Sequence, residues 1–402
     1  MSNLKRYRFC DLYTMSSGIS STKDQAGHGS PFLSFSVVFN NYFVPDELPD
    51  LMATSDKEKE TYSIKSGDIF LTRTSEVVDE LAMSCVAIKD YTNASYSGFL
   101  KRLRPTQTDI TYSKFMAFYL RSQMFRKTMT NNAVMTLRAS LNEAIFSYLD
   151  LLLPGYDDQV KAGDLLYLLN EKIALNNRIN AELEAMAKTL YDYWFVQFDF
   201  PDDSPQGHGK PYKTSGGKMV YNVTLKREIP DGWEAVSVGK IVDIKTGKED
   251  ANYASENGKY HFFTCGESAL RCDDFVFEGK AVLLAGNGSF SVKRYEGKFN
   301  AYQRTYVLIP KQDELYAPLY FSVNDKVKTL TSGSRGSIVK FITKGDIEDI
   351  YLPLPRNREL DFVKTLNDCF KETSRLYEQN LELVSLRDWL LPMLMNGQVT
   401  VK

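Results

Sequence analysis

At 402 residues the chain has room for two or three domains. Its 49 Lys and Arg against 51 Asp and Glu leave a net charge of −2, which excludes a global attraction to polyanions and confines any such binding to local basic patches. No apolar run is long enough to span a membrane, and the five cysteines and three histidines lack the spacings of a disulfide framework or a zinc site, so a soluble cytoplasmic protein without a metal is expected.

In chain order, residues 1–155 are rich in Thr, Tyr, Val and Gly and read as an irregular mixed α/β domain. Its glycine turns lead into short apolar runs, as in Gly67-Asp68-Ile69-Phe70-Leu71. After Leu151-Leu152-Leu153-Pro154, apolar residues recur every three or four positions through Leu165, Leu168, Ile173, Ile179, Leu183 and Leu190, which predicts one long helix over 156–200. The stretch 201–228 opens with turn-forming residues, Pro201-Asp202-Asp203-Ser204-Pro205, and reads as a linker.

Residues 229–355 then echo the first domain. Ser17-Gly18-Ile19 answers to Thr246-Gly247-Lys248, and Gly29–Leu33 to Gly258–Phe262, both at an offset of 229; Gly67–Leu71 parallels Gly279–Leu283. Leu352-Pro353-Leu354-Pro355 opens a second periodic helix over 356–402, and sliding it by 200 residues superimposes Asn180 on Asn380 and Leu183 on Leu383. The expected architecture is α+β. Two mixed α/β domains are joined by two long antiparallel helices that cover each other's apolar stripe as a coiled coil, in a pseudo-twofold internal repeat. A helix of about 30 residues is about 45 Å long, somewhat more than one turn of B-DNA.

Charge is distributed unevenly. Between Gly98 and Arg138 stand Lys101, Arg102, Arg104, Lys114, Arg121, Arg126, Lys127 and Arg138 against Asp109 alone, whereas the first helix region is acidic. The second domain offers Lys245, Lys248, Lys293, Arg294 and Arg304. Such cations suit phosphates, and loops of small polar residues let a backbone approach base edges. Candidate base-reading loops are Arg73-Thr74-Ser75 and Arg138-Ala139-Ser140 in the first domain. Asn287-Gly288-Ser289 and Ser334-Arg335-Gly336-Ser337 are their candidates in the second.

The stretch Leu190-Tyr-Asp-Tyr-Trp-Phe-Val-Gln-Phe-Asp-Phe-Pro201, with Gly209–Met219 and Ile229-Pro-Asp-Gly-Trp-Glu234, resembles the central region of type I restriction enzyme specificity subunits. The Leu-Pro elements before each long helix resemble that family's entry into its spacer helices. The resemblance implies two target-recognition domains, each reading half of a split site on double-stranded DNA, with helices that set the gap and dock two methyltransferase subunits. It further implies a separate motor-nuclease subunit, with S-adenosylmethionine, ATP and Mg²⁺ on those partners and no cofactor on this chain. Tyr193, Trp194 and Phe195 on the first helix and Trp389 and Leu390 on the second are the candidate partner contacts, and the two sets differ in sequence.

No Asn/Asp-Pro-Pro-aromatic loop and no Gly-x-x-x-x-Gly-Lys-Ser/Thr loop occurs, so neither base methylation nor ATP hydrolysis is expected here. Pro230-Asp231 with Asp243-Ile244-Lys245 imitates a metal-dependent nuclease pattern but reads better as a turn followed by a strand. The rival from another class is a coiled-coil adaptor whose two heads bind proteins. A solitary methylation system without a nuclease also fits the sequence.

Overall fold

The computed structural model describes residues 4–75, 80–132, 139–140, 143–202, 207–332, 341–357 and 360–401. The chain divides into two compact units, Met1–Leu175 with Asn380–Lys402, and Asn176–Gln379.

The first unit opens on β1 (Lys5–Arg8), the one-turn helix α1 (Phe9–Leu12) and β2 (Tyr13–Ser17). It continues through β3 (Ala26–Leu33), β4 (Ile69–Thr72), β5 (Ser84–Val86), β6 (Ser95–Tyr96) and β7 (Leu100–Pro105) to the helices α2 (Ser113–Tyr119) and α3 (Gln123–Asn132). Then β8 (Asp150–Leu153) returns antiparallel to β1 and leads into the long helix α4 (Tyr156–Tyr191). The main sheet has the order β2-β7-β4-β5. Its central strand β4 is buried on both faces, which is why it is written as an unbroken apolar run. Ile69 and Leu71 face a core with Phe115 and Phe118, while Phe70 faces a second one with Tyr96 and Leu100.

The second unit is built on the same plan. Strand β9 (Trp233–Ser237), the one-turn helix α5 (Val238–Ile241) and β10 (Val242–Thr246) come first, followed by β11 (Tyr260–Phe263), β12 (Leu270–Cys272), β13 (Phe277–Ala285), β14 (Val292–Ala301) and β15 (Thr305–Pro310). Helix α6 (Tyr316–Ser332) follows, and β16 (Tyr351–Pro355) pairs antiparallel with β9 before the second long helix α7 (Lys364–Met395). Its sheet has the order β10-β15-β13-β14-β11-β12.

Strand registers make the repeat exact to the residue. Tyr13 faces Pro105 and Ser17 faces Lys101, as Val242 faces Pro310 and Thr246 faces Tyr306. Ile69 faces Leu103 as Val282 faces Leu308, so Ile69 corresponds to Val282 and not to Ala281. The match of Gly67–Leu71 to Gly279–Leu283 is therefore one residue out. Because side chains alternate between faces, that slip would have turned the whole strand over. Likewise the N–H of Ser97 donates to Leu33 O as Tyr302 donates to Phe263 O, which aligns Leu33 with Phe263 rather than Phe262. Gly18 and Gly247 occupy one position in the two units, and a single residue has been gained just beyond Gly247.

The long helices pair antiparallel, as expected. In the first unit Ala162 and Leu166 share a core with Leu394 and Met395. In the second, Ala187 and Tyr191 share one with Leu366, Cys369 and Phe370, and Asn176 Nδ2 donates to Gln379 Oε1 at 2.9 Å. At 36 and 32 residues the helices run about 54 and 48 Å. The first ends at Tyr191 and passes into a π-helical turn, Asp192–Val196, short of residue 200. The expected linker is also folded. It forms hairpins Pro201–Asp202 with Lys210–Pro211 and Met219–Asn222 with Arg227–Pro230, Phe200 stacks on Tyr212 and Trp233, and the Asp199 carboxylate accepts from the Thr214 N–H and hydroxyl.

One buried base in the second unit gives a pH dependence. His261 lies between Phe263 and Tyr295, and burial, helped by Arg271, pushes its pKa down from 6.5 to about 4. The Glu378 carboxylate, 3.7 Å away and half exposed, does not offset this. The unfolded chain then binds the proton more tightly than the native one, so stability is full above about pH 6.5 and falls as acid approaches pH 4. About 2 kcal/mol should be lost between pH 7 and 5. Urea unfolding of the wild type and His261→Phe at the two pH values checks this, and the variant should lose markedly less.

Candidate nucleic-acid interface

In the second unit the exposed Lys245 and Thr246 lie at the end of the edge strand β10, with Lys248 just beyond. Beside them β13 ends in the loop Gly286-Asn287-Gly288-Ser289, where Gly288 takes the left-handed backbone (φ +72°) that suits glycine. The N–H of Gly286 donates to Arg304 O, and the N–H of Ile342 donates to Gly286 O, both at 2.9 Å, so three loops are tied together. They enclose a hollow of about 410 Å³ lined by Thr246, Asn287, Gln303, Arg304, Tyr306, Phe341 and Thr343. An adjoining hollow is lined by Lys245, Lys248, Tyr306 and Lys344. Ser289 braces its loop by donating to Cys265 O at 2.8 Å.

The first unit assembles the same surface. The N–H of Arg73 donates to Phe99 O at 2.9 Å, the counterpart of the Gly286–Arg304 bond. Thr74 is thereby the counterpart of Asn287, Gly98 of Gln303, and Lys101 of Tyr306. Lys101 Nζ donates to Ser17 Oγ at 2.8 Å across the β2–β7 pair. The two loops proposed for this domain meet, since Ala139 pairs with Ser75 and Ser140 with Thr74. The Ser140 side chain, and all of Arg138, Ser334, Arg335 and Ser337, lie outside the described residues.

Six of the candidate cations are engaged inside the fold. Arg104 binds the fully buried Asp68 carboxylate at 2.7 and 2.6 Å, an interaction that raises the guanidinium pKa further. Arg102 donates to Ser63 O and stands over the Tyr96 ring. Arg121 donates to the carbonyls of Ser84, Val38, Phe39 and Asn41 at 2.7–2.9 Å. Arg126 donates to Ala82 O, and Lys293 to Thr264 O and Gly266 O. Arg294 bridges Glu184 and Thr373 and covers Phe370, so it fastens β14 to both helices within the second unit. Lys127 is exposed on α3. The basic run that sequence counting marks is thus largely scaffold. Arg73, Thr74 and Lys101 lie on the loop surface in the first unit, and Lys245, Lys248, Asn287, Ser289 and Arg304 on its counterpart in the second.

Counting also misses the aromatic part of the surface. Phe99 and Phe341 are 67% and 64% exposed, an uncommon state for phenylalanine that signals a contact surface. Gly98-Phe99 in a turn was the available signal, but its place beside Arg73 depends on the β4–β7 register. Among the described residues no group of three His, Cys, Asp or Glu could hold a metal ion. Asp231 of the nuclease-like pattern is paired with Lys218 at 2.8 Å, which lowers its pKa. No described helix is long and apolar enough to cross a membrane.

Residues 230–383 match the type I restriction modification DNA specificity domain family. The chain is 41% identical over 178 residues to the type I restriction enzyme EcoDI specificity subunit of Escherichia coli, covering 43% of this chain and 40% of that one. Sequence similarity to type I specificity subunits is thus established for the second unit's domain and for part of the remaining chain. The chain is also 24% identical over 273 residues to the MjaIX specificity subunit of Methanocaldococcus jannaschii, covering 62% of this chain and 60% of that relative. The matches thus span only part of either relative's length. The fold agrees with that of a type I restriction-modification S subunit from M. genitalium at a TM-score of 0.64 and 13% identity, over 98% of this chain and 96% of that one.

The family-like central stretch has an internal duty. Trp194 and Phe195 are 6% and 1% exposed in the second unit's core, edge-on to Phe362 and Trp233, and Tyr193 is partly buried there. Arg227 fastens the π-turn by donating to Phe195 O at 2.7 Å. Trp194 and Phe195 therefore cannot be surface contacts. On the second helix Leu390 packs against the first unit's core, whereas Trp389 is 65% exposed and remains available.

Proposed function

We propose that this chain is the DNA-specificity subunit of a type I restriction-modification system, each unit reading one half of a bipartite site on double-stranded DNA. The observation that carries the reading is one loop surface built twice in matching register, with exposed cations, small polar residues and an aromatic at its rim. Lys245, Lys248 and Lys101 suit phosphates; Thr74, Asn287 and the two exposed arginines suit base edges. The paired helices set the unread gap. Trp389, with Leu168 and Leu386 also exposed on the long helices, is suited to docking two methyltransferase subunits. S-adenosylmethionine, ATP and Mg²⁺ belong to the methyltransferase and motor-nuclease partners, and the chain itself is non-catalytic and cytoplasmic.

The test is selection from a random duplex library by the full chain together with its methyltransferase subunit. A motif in two parts with a fixed gap is expected. Affinity should fall steeply with salt, by about 10³-fold or more between 50 and 200 mM if six or more phosphates are neutralised. A single uninterrupted motif would overturn the two-reader arrangement. Salt-insensitive binding without sequence preference would favour a protein-binding adaptor, and DNA cleavage by the isolated chain with Mg²⁺ would overturn the non-catalytic assignment.

A further inference from the structure

Each unit presents one exposed arginine on the shared surface, but from different sides of it. Arg73 leaves β4 in the first unit, where the second has Gly286; Arg304 precedes β15 in the second unit, where the first has Phe99. In both units these two positions are joined by the same backbone hydrogen bond of 2.9 Å. The cation has crossed that bond from one unit to the other. Glycine fills the position it leaves in the second unit, and phenylalanine fills it in the first.

We propose that Phe99 is a specificity-determining residue covering a thymine methyl group, and that Arg73 and Arg304 each hold a guanine, so that each half-site is read from the opposite side of the equivalent backbone hydrogen bond. This rests on the DNA-specificity reading above. The guanidinium fork matches the two major-groove acceptors of guanine, and both arginines are exposed. Phe99 offers no hydrogen bond. The C5-methyl of thymine is the apolar feature on a base edge in the major groove, and a ring that is 67% exposed gains by covering it. Lys101, bound to Ser17 directly opposite it on β2, sets the charge of that rim.

The test uses the full chain with its methyltransferase subunit as wild type, Arg73→Ala, Arg304→Ala and Phe99→Ala. Each is put through the duplex selection and then measured on the selected duplex with thymines replaced singly by deoxyuridine. Each arginine variant should lose guanine preference at one position by about 10- to 100-fold, in different half-sites, leaving the other half unchanged. In the half-site that answers to Arg73, one deoxyuridine should weaken the wild type by about 3- to 5-fold and Phe99→Ala not at all. Thermal unfolding midpoints should stay near wild type, because all three side chains are exposed. Arginine variants that weaken every sequence alike would make these phosphate contacts and overturn the proposal. So would a deoxyuridine effect equal in wild type and Phe99→Ala, as a ring wedged between base steps would give. A wild type that selects no motif overturns the DNA reading itself, a result distinct from either.

Discussion

Gly247→Ala is expected to destabilise the second unit by about 3 kcal/mol or more, at the upper end of what overpacking costs. A Cβ at this position would sit 1.8 Å from Ala301 O and 2.2 Å from its carbonyl carbon. Both atoms are main chain, in the strand that continues into the turn carrying Arg304, so the clash has no flexible side chain to push aside. Gly18 in the first unit faces the same obstruction, 2.3 Å from Ser97 O and 2.4 Å from Tyr96 O. Gly18→Ala should cost a similar amount. Gly266→Ala is the control, since its nearest neighbour would be a hydroxyl at 3.5 Å, and it should stay within about 0.5 kcal/mol of wild type. Urea unfolding of the three variants checks the expectation. If Gly247→Ala proved as stable as Gly266→Ala, the close approach of the two chain segments, and the correspondence built on it, would fall.

Arg121→Met should cost about 3–5 kcal/mol, because removing the buried cation takes a donor from four carbonyl groups at once. Its guanidinium bonds Ser84, Val38, Phe39 and Asn41 and lies over the Tyr42 ring, so it ties α2's end to β5 and to the segment before it. Burial presses its pKa below the usual arginine value, an effect that Tyr42 and Cys85 partly offset. Lysine cannot replace a fork that reaches four acceptors, so Arg121→Lys should recover only part of the loss. The decisive comparison is with Lys248→Ala. Arg121→Met should lower the thermal midpoint and leave the salt slope of DNA binding unchanged, whereas Lys248→Ala should do the reverse, lowering the slope by about 1. A normal midpoint with a reduced slope in Arg121→Met would return this residue to the DNA surface.

Much of the architecture was legible in the residues, because the signals are local or repeat along the chain. The helical period through Leu165, Leu183 and Leu190, and its echo 200 residues later, marked two long helices that cover each other. The 229-residue offset between Gly18 and Gly247 marked the duplication, and the strand registers agree with it at that position. The Leu-Pro runs before both helices became β8 and β16, each paired with its domain's first strand.

What only the tertiary structure decided is which side of a strand a residue faces and what a long polar side chain finds at its tip. Gly67–Leu71 aligned one place out because an apolar run buried on both faces carries no alternation and looks nearly the same after a slip of one; only pairing with β7 or β15 chooses the face. Arg104 and Arg73 are equivalent as composition, but Asp68, remote in sequence and fully buried, captures the first and leaves the second in solvent. Trp194 and Phe195 had the look of a surface motif until the chain after the helix folded back over them with Trp233 and Phe362. Periodicity is a property of the chain itself, whereas a hydrogen-bond partner many residues away exists only once the chain has closed on itself.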